Sequence, residues 1–175
     1  MAHPKRHINI VGGAYMRSNS KMNDLKLRKS ERIASRKQID QLFAGKGSQS
    51  KAAFPVRAVF YSRPYMPYKA NESHEPEADA TLPQAQILVS VPKKRFKHAV
   101  DRNRVKRQLR EAYRKNKHLM LEAIPEGVSV AIAFIWLSDK KQPSVEVEER
   151  MRKLLADIAQ ALRNNHEPCV TSASS

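Results

Sequence analysis

The chain has 175 residues, a formal net charge of +16 and a pI of about 10.2, which suits one domain with tails or insertions and points to a polyanionic partner, a nucleic acid or an anionic membrane surface. No apolar run approaches the roughly 20 residues that span a bilayer, which argues against the membrane. A lone cysteine, Cys169, can form neither an intrachain disulfide nor a cysteine-based zinc site, and the N-terminus lacks the apolar block of a secretory signal, so a cytoplasmic setting is expected.

Residues 1–29 carry seven basic side chains against one acid, Asp24, and little to bury; they read as a disordered basic arm. Ser35 is a suitable N-cap for a first helix ending at Phe43, before Gly45 and Gly47. Ile39, Leu42 and Phe43 recur on one face of that helix. Phe54 to Tyr61 alternates as a strand of an antiparallel sheet. The segment 63–84 then shifts to prolines and acids, including Glu72, Glu75, Glu77 and Asp79, and reads as an insertion. Gln86 to Val91 is a second strand, with Ile87, Val89 and Val91 on one face.

Pro92 breaks that strand, and the most unusual stretch of the chain follows. From Lys93 to Lys117 there are twelve basic residues against two acids, Asp101 and Glu111. A solvated helix normally mixes signs to gain i,i+4 pairs. This one hardly does, so a polyanion partner is expected to neutralise it. Asp101 suits a helix start, and Lys115 and Lys117 suit the negative end of the dipole. At 100° per residue, Val105, Leu109, Ala112 and Tyr113 share one arc, and Asn103, Lys106, Arg107, Arg110 and Arg114 share the next. The helix has a face to bury and a face to present.

Val128 to Leu137 is the strongest strand signal. Val130, Ile132, Phe134 and Trp136 alternate with Ala131, Ala133 and Ile135, so both faces are expected to be covered and the strand to be central. Ser144 opens a last helix with the stripe Val147, Met151, Leu154, Leu155, Ile158 and Leu162, and residues 164–175 read as a disordered tail. The implied fold is a compact two-layer α+β sandwich, helices on a central sheet, formed by one domain over residues 30–163.

The residues that carry chemistry favour binding. The acids lie in the insertion, among basic residues or on the last helix, and form no carboxylate cluster of the kind that holds two metals in a nuclease. There is no phosphate loop, dinucleotide fingerprint or nucleophile elbow, and neither a catalytic side chain nor a bound metal or cofactor is expected from the chain's own motifs. Arg and Lys on the basic helix, with Lys93, Lys94 and Arg95 ahead of it, would hold phosphates. Phe43, Phe60 and Tyr61 could stack bases if they lie beside the first helix.

The run Ala99-Val100-Asp101-Arg102-Asn103-Arg104-Val105-Lys106-Arg107-Gln108-Leu109-Arg110 closely resembles the protein subunit of bacterial ribonuclease P, a family with an Arg-Asn-Arg core in this setting. Glu31-Arg32-Ile33, Ile39 to Phe43, Val56 to Tyr61, Ile87 to Lys94, Val128 to Leu137 and Val147 to Leu162 look like the family's remaining elements, over about residues 28–163. The resemblance implies a mostly antiparallel sheet with a left-handed β-α-β crossover carrying the basic helix. It also implies a protein monomer that assists a catalytic RNA, with its magnesium, in removing the 5′ leader of precursor tRNA. Arg102, Asn103, Arg104, Lys106, Arg107 and Arg110 would then face the catalytic RNA. Ile39, Phe43, Val59, Phe60 and Tyr61 would line a cleft for the leader, with Ile39 at a position usually aromatic in the family. A ribosomal or RNA-chaperone protein of similar fold and a protein-only nuclease are the alternatives.

Overall fold

The computed structural model describes residues 26–45, 47–64 and 83–165. The basic arm as far as residue 25, the insertion from 65 to 82 and the tail from 166 lie outside the described residues. The elements in chain order are α1 (Arg36–Phe43), β1 (Gln49–Ala53), β2 (Val56–Pro64), β3 (Ala85–Ser90), α2 (Ala99–Asn116), α3 (His118–Leu121), β4 (Val128–Trp136) and α4 (Ser144–Asn164). Among the described residues the strands form one sheet in the order β1-β2-β4-β3. The β1/β2 and β2/β4 pairings are antiparallel and β3/β4 is parallel, so the α+β sandwich and the mostly antiparallel sheet stand as expected.

β4 lies inside the sheet and buries both faces. Val130, Ile132, Phe134 and Trp136 join the main core with Val105, Leu109 and Tyr113 of α2 and the Val147-to-Leu162 stripe of α4. The Tyr113 and Phe134 rings meet with centroids 5.7 Å apart and tilted by 49°, an aromatic contact of favourable geometry. On the reverse face, Ala131 and Ala133 are small enough for α1 to approach, and Leu42 is fully buried against them. Helices thus cover one face broadly, while α1 crosses only part of the other.

Two elements were invisible to patterning. β1, with the sequence Gln-Ser-Lys-Ala-Ala, has no strand propensity and is mostly exposed. It forms because the Phe54-Pro55 turn folds it back on β2, from Ala53 opposite Val56 to Gln49 opposite Phe60. Tertiary pairing overrides local preference there. α3 is a single short turn continuing past α2. Boundaries also move slightly. α2 starts at Ala99, placing Asp101 within its first turn, where a carboxylate suits the dipole. Ser35 occupies the α1 N-cap without a side-chain capping bond. Gly45, at φ 76°, lies just beyond α1 in a conformation that disfavours any residue with a Cβ.

The folded body begins earlier than residue 30. Ile87 N donates to the Glu31 carbonyl at 2.7 Å and Ile33 N to the Ile87 carbonyl at 2.9 Å, so this segment bridges to β3. Leu27 packs against the main core. Lys117, expected at the C-terminal dipole of α2, is instead buried. Its Nζ donates to both Glu31 carboxylate oxygens at 2.9 and 3.1 Å and to the Lys26 carbonyl at 2.9 Å. This ion pair fastens residues 26–33 to the end of α2. Lys117→Met should leave the Glu31 carboxylate without its cation in a poorly solvated place, costing about 1–3 kcal/mol. Urea unfolding checks this, and adding Glu31→Gln should recover part of the loss.

Candidate nucleic-acid interface

The basic helix divides as its phase requires. Val105, Leu109, Ala112 and Tyr113 are buried. Asn103, Arg104 and Arg107 are exposed, while Lys106, Arg110 and Arg114 are half-buried. Lys93 and Lys94 are exposed and Arg95 half-buried in the turn between β3 and α2. Phe96 anchors that turn in the core. Arg102 behaves differently from its neighbours. Its Nη1 donates to the Phe96 carbonyl at 2.8 Å and the Lys97 carbonyl at 2.7 Å, closing the turn onto the first turn of α2. Part of the Arg102 guanidinium is thus engaged by the turn that follows Lys93, Lys94 and Arg95.

The acids of the region are already matched. Arg114 pairs with Glu111 at 2.6 Å, Lys141 with Asp101 at 2.6 Å and Lys115 with Glu148 at 2.9 Å. Each carboxyl group is held below its ordinary value first by the hydrogen bond from its partner: Arg114 for Glu111, Lys141 for Asp101, Lys115 for Glu148. Among the described residues, Arg104, Lys106, Arg107 and Arg110 make no side-chain hydrogen bond or ion pair. Arg104 acts on the Asp101 carboxylate from a distance, and none of the four is ion-paired.

Beside them lies a shallow depression of about 780 Å³ that also takes in Lys26 and Arg32. Sequence patterning gave these two no part in the site. The Lys117 bonds to Glu31 and to the Lys26 carbonyl, the Arg32–Ile87 bridge and the packing of Leu27 bring them alongside α2, and no local signal encodes these contacts.

The reverse face of the sheet carries the residues expected to line a cleft. Val59 and Tyr61 of β2, Ala131 and Ala133 of β4 and Leu88 of β3 form an apolar floor under Ile39 and Leu42 of α1. Ile39, Val59 and Leu88 are half-buried. Phe43, one turn beyond Ile39, leaves 50% of its surface open. Tyr61 is only 5% exposed, and its hydroxyl donates to Gln41 Oε1 at 3.3 Å, so its ring supports α1 more than it presents a face. Phe60 is a correction. Strand alternation turns it to the opposite side, where it is 1% exposed within the main core, and it cannot line this trough. Leu88 replaces it. The alternation that put Ile87 and Val89 on one face had already implied Leu88 on the other.

No group of three or more His, Cys, Asp or Glu side chains that could hold a metal ion occurs among the described residues. Nor is any helix among them long and apolar enough to cross a membrane. A cationic helix and an apolar trough beside a half-open phenylalanine match the two demands of single-stranded nucleic acid, charge for phosphates and flat or apolar surface for bases. Fold and surface together place the chain among α+β proteins suited to holding a nucleic acid.

Comparison with known proteins narrows that class. The ribonuclease P family model matches residues 27–159. The ribonuclease P protein component of Porphyromonas gingivalis is 40% identical over 134 residues, covering 76% of this chain and 86% of the relative. That of Chlorobium phaeobacteroides is 29% identical over 160 residues, covering 87% and 95%. The solved ribonuclease P protein from Thermotoga maritima shares the fold with a TM-score of 0.50 at 24% identity, covering 73% of this chain and 97% of that one. The chain belongs to the ribonuclease P protein family.

The ion pairs give the site a pH signature. Because Glu148 titrates lower in the folded chain, its contribution is present above the ordinary glutamate value and lost as pH falls through the folded one. Glu148→Gln should therefore cost at most about 0.5–1 kcal/mol at neutral pH, as for other exposed pairs. In urea unfolding followed against pH, the difference from the parent should shrink as pH falls below the ordinary glutamate range and vanish once the folded carboxyl is protonated.

Proposed function

We propose that this chain is the RNA-binding protein subunit of ribonuclease P and that its two surfaces divide the work. The cationic face of α2, with Asn103, Arg104, Lys106, Arg107, Arg110 and Arg114 and with Lys93, Lys94 and Arg95 ahead of it, binds the catalytic RNA. The trough under α1, with Ile39, Phe43, Val59, Tyr61 and Leu88, takes the single-stranded 5′ leader of precursor tRNA. The RNA carries the chemistry, and the magnesium it needs is held by RNA phosphates. One copy of the protein serves each ribonucleoprotein, in the cytoplasm. The observation that carries this reading is the set of four cations on α2, Arg104, Lys106, Arg107 and Arg110, without an ion-pair partner among the described residues, on the same scaffold as an apolar cluster under α1. Family membership names the RNA.

In that arrangement the protein lowers the electrostatic cost of bringing two polyanions together. Each cation of α2 that meets a phosphate releases counterions and adds affinity without sequence choice. The trough adds what the mature product lacks, an apolar surface for leader bases, so it favours substrate over product.

Reconstitution tests the whole reading. With a bacterial ribonuclease P RNA, the protein should support cleavage of precursor tRNA at magnesium concentrations where the RNA alone is slow; no stimulation would overturn it. Arg107→Ala should weaken binding to that RNA and reduce the slope of log affinity against log salt by about one. Phe43→Ala should weaken binding of precursor tRNA by the holoenzyme by about 1–3 kcal/mol while leaving mature tRNA unchanged. Filter binding with both tRNAs reads the difference directly.

A further inference from the structure

Arg63 stands on the reverse face of β2, two residues beyond Tyr61 and opposite Ser129 of β4. Its guanidinium reaches three elements at once. Nε donates to Ser129 Oγ at 3.0 Å, and Nη2 donates to Gln86 Oε1 of β3 at 2.9 Å. With the Gln38 amide oxygen turned toward it, the orientation that satisfies both groups, Gln38 of α1 accepts from Nη1 at 2.7 Å and Nη2 at 3.2 Å. Gln86 in turn donates from Nε2 to the Ser30 carbonyl at 2.9 Å, in the segment leading into α1. Gln86 and Ser129 are buried, and among the described residues no carboxylate faces the cation.

Besides the packing of Ile39 and Leu42 and the Tyr61 bond to Gln41, little else holds α1. It is eight residues long, Leu42 is its only buried residue, and Ser35 makes no capping bond. A helix this short has no stability of its own and takes its position from tertiary contacts. Hydrogen bonds from a charged donor are roughly twice as strong as neutral ones, and the planar five-donor fork of arginine can serve three acceptors that a lysine could not.

We propose that Arg63 is a positioning residue for the trough: it fixes α1 over the sheet, and so sets the gap between Phe43 and Ile39 above and Val59 and Leu88 below. This rests on the reading of the trough as the leader site. Arg63 itself need not touch RNA.

The test uses the reconstituted holoenzyme, with precursor and mature tRNA binding, affinity for the RNA subunit and thermal unfolding of the protein measured side by side. Arg63→Ala should reduce the preference for precursor over mature tRNA by about tenfold, the order that loss of a charged hydrogen bond carries. Affinity for the RNA subunit should stay unchanged. Arg63→Lys should remain as defective as Arg63→Ala; recovery by lysine would show that charge and not the fork matters, and would overturn the proposal. Gln38→Ala, which removes only the acceptor on α1, should show the same loss and keeps the test open if Arg63→Ala does not fold. Full preference in Gln38→Ala overturns the proposal. If Phe43→Ala loses the preference and both Arg63→Ala and Gln38→Ala keep it, the positioning role fails while the trough reading stands. If Phe43→Ala also keeps it, the trough reading fails and takes this proposal with it.

Discussion

The architecture depends on the unequal faces of β4. One side presents Val130, Ile132, Phe134 and Trp136, bulky enough to seat α2 and α4 and to build the main core. The other presents Ala131 and Ala133, and their small volume lets α1 lie close to the sheet. A larger residue at either alanine would lift α1 and fill the trough. One strand therefore fixes both the support of the cationic helix and the floor of the trough on the opposite face, and the two surfaces cannot be repacked independently.

Charge is the second organising constraint. α2 concentrates like charges on one arc, which disfavours folding of the free protein and favours its complex with a polyanion. The scaffold limits the disadvantage by engaging cations at the edges of the patch: Arg114 with Glu111, Lys115 with Glu148, and Lys141 with Asp101 from the loop before α4. Arg104, Lys106, Arg107 and Arg110 are left outside those pairs. Glu111 and Glu148 line the same depression as Arg107 and Arg110, where they engage Arg114 and Lys115.

Arginines divide between two tasks in this molecule. Arg102 and Arg63 donate to protein acceptors and hold, respectively, the turn before α2 and the start of α1. Arg104, Arg107 and Arg110 have no such partners among the described residues. Composition counts all of these alike, and the Arg-Asn-Arg motif gives Arg102 and Arg104 the same apparent role. Only the positions of the Phe96 and Lys97 carbonyls separate them.

The helical phase of α2, the stripe of α4 and the two-sided alternation of β4 were legible because periodicity is a local property, and each matches a face that had to be buried. The Ala99-to-Arg110 motif was legible because it is contiguous. The placement of Phe60 was not, since a strand with bulky residues on both faces does not say which face meets the larger core. β1 was hidden because its strand character comes from pairing with β2 and not from its own side chains. Lys26 and Arg32 joined the cationic surface through the Glu31–Lys117 pair, which spans 86 positions of sequence, and through the backbone bridge to Ile87. The sequence by itself determined that a basic helix with one apolar arc would be presented on an α+β scaffold. Tertiary structure alone decided which cations stay unpaired and which residues floor the trough, because both depend on contacts between segments distant along the chain.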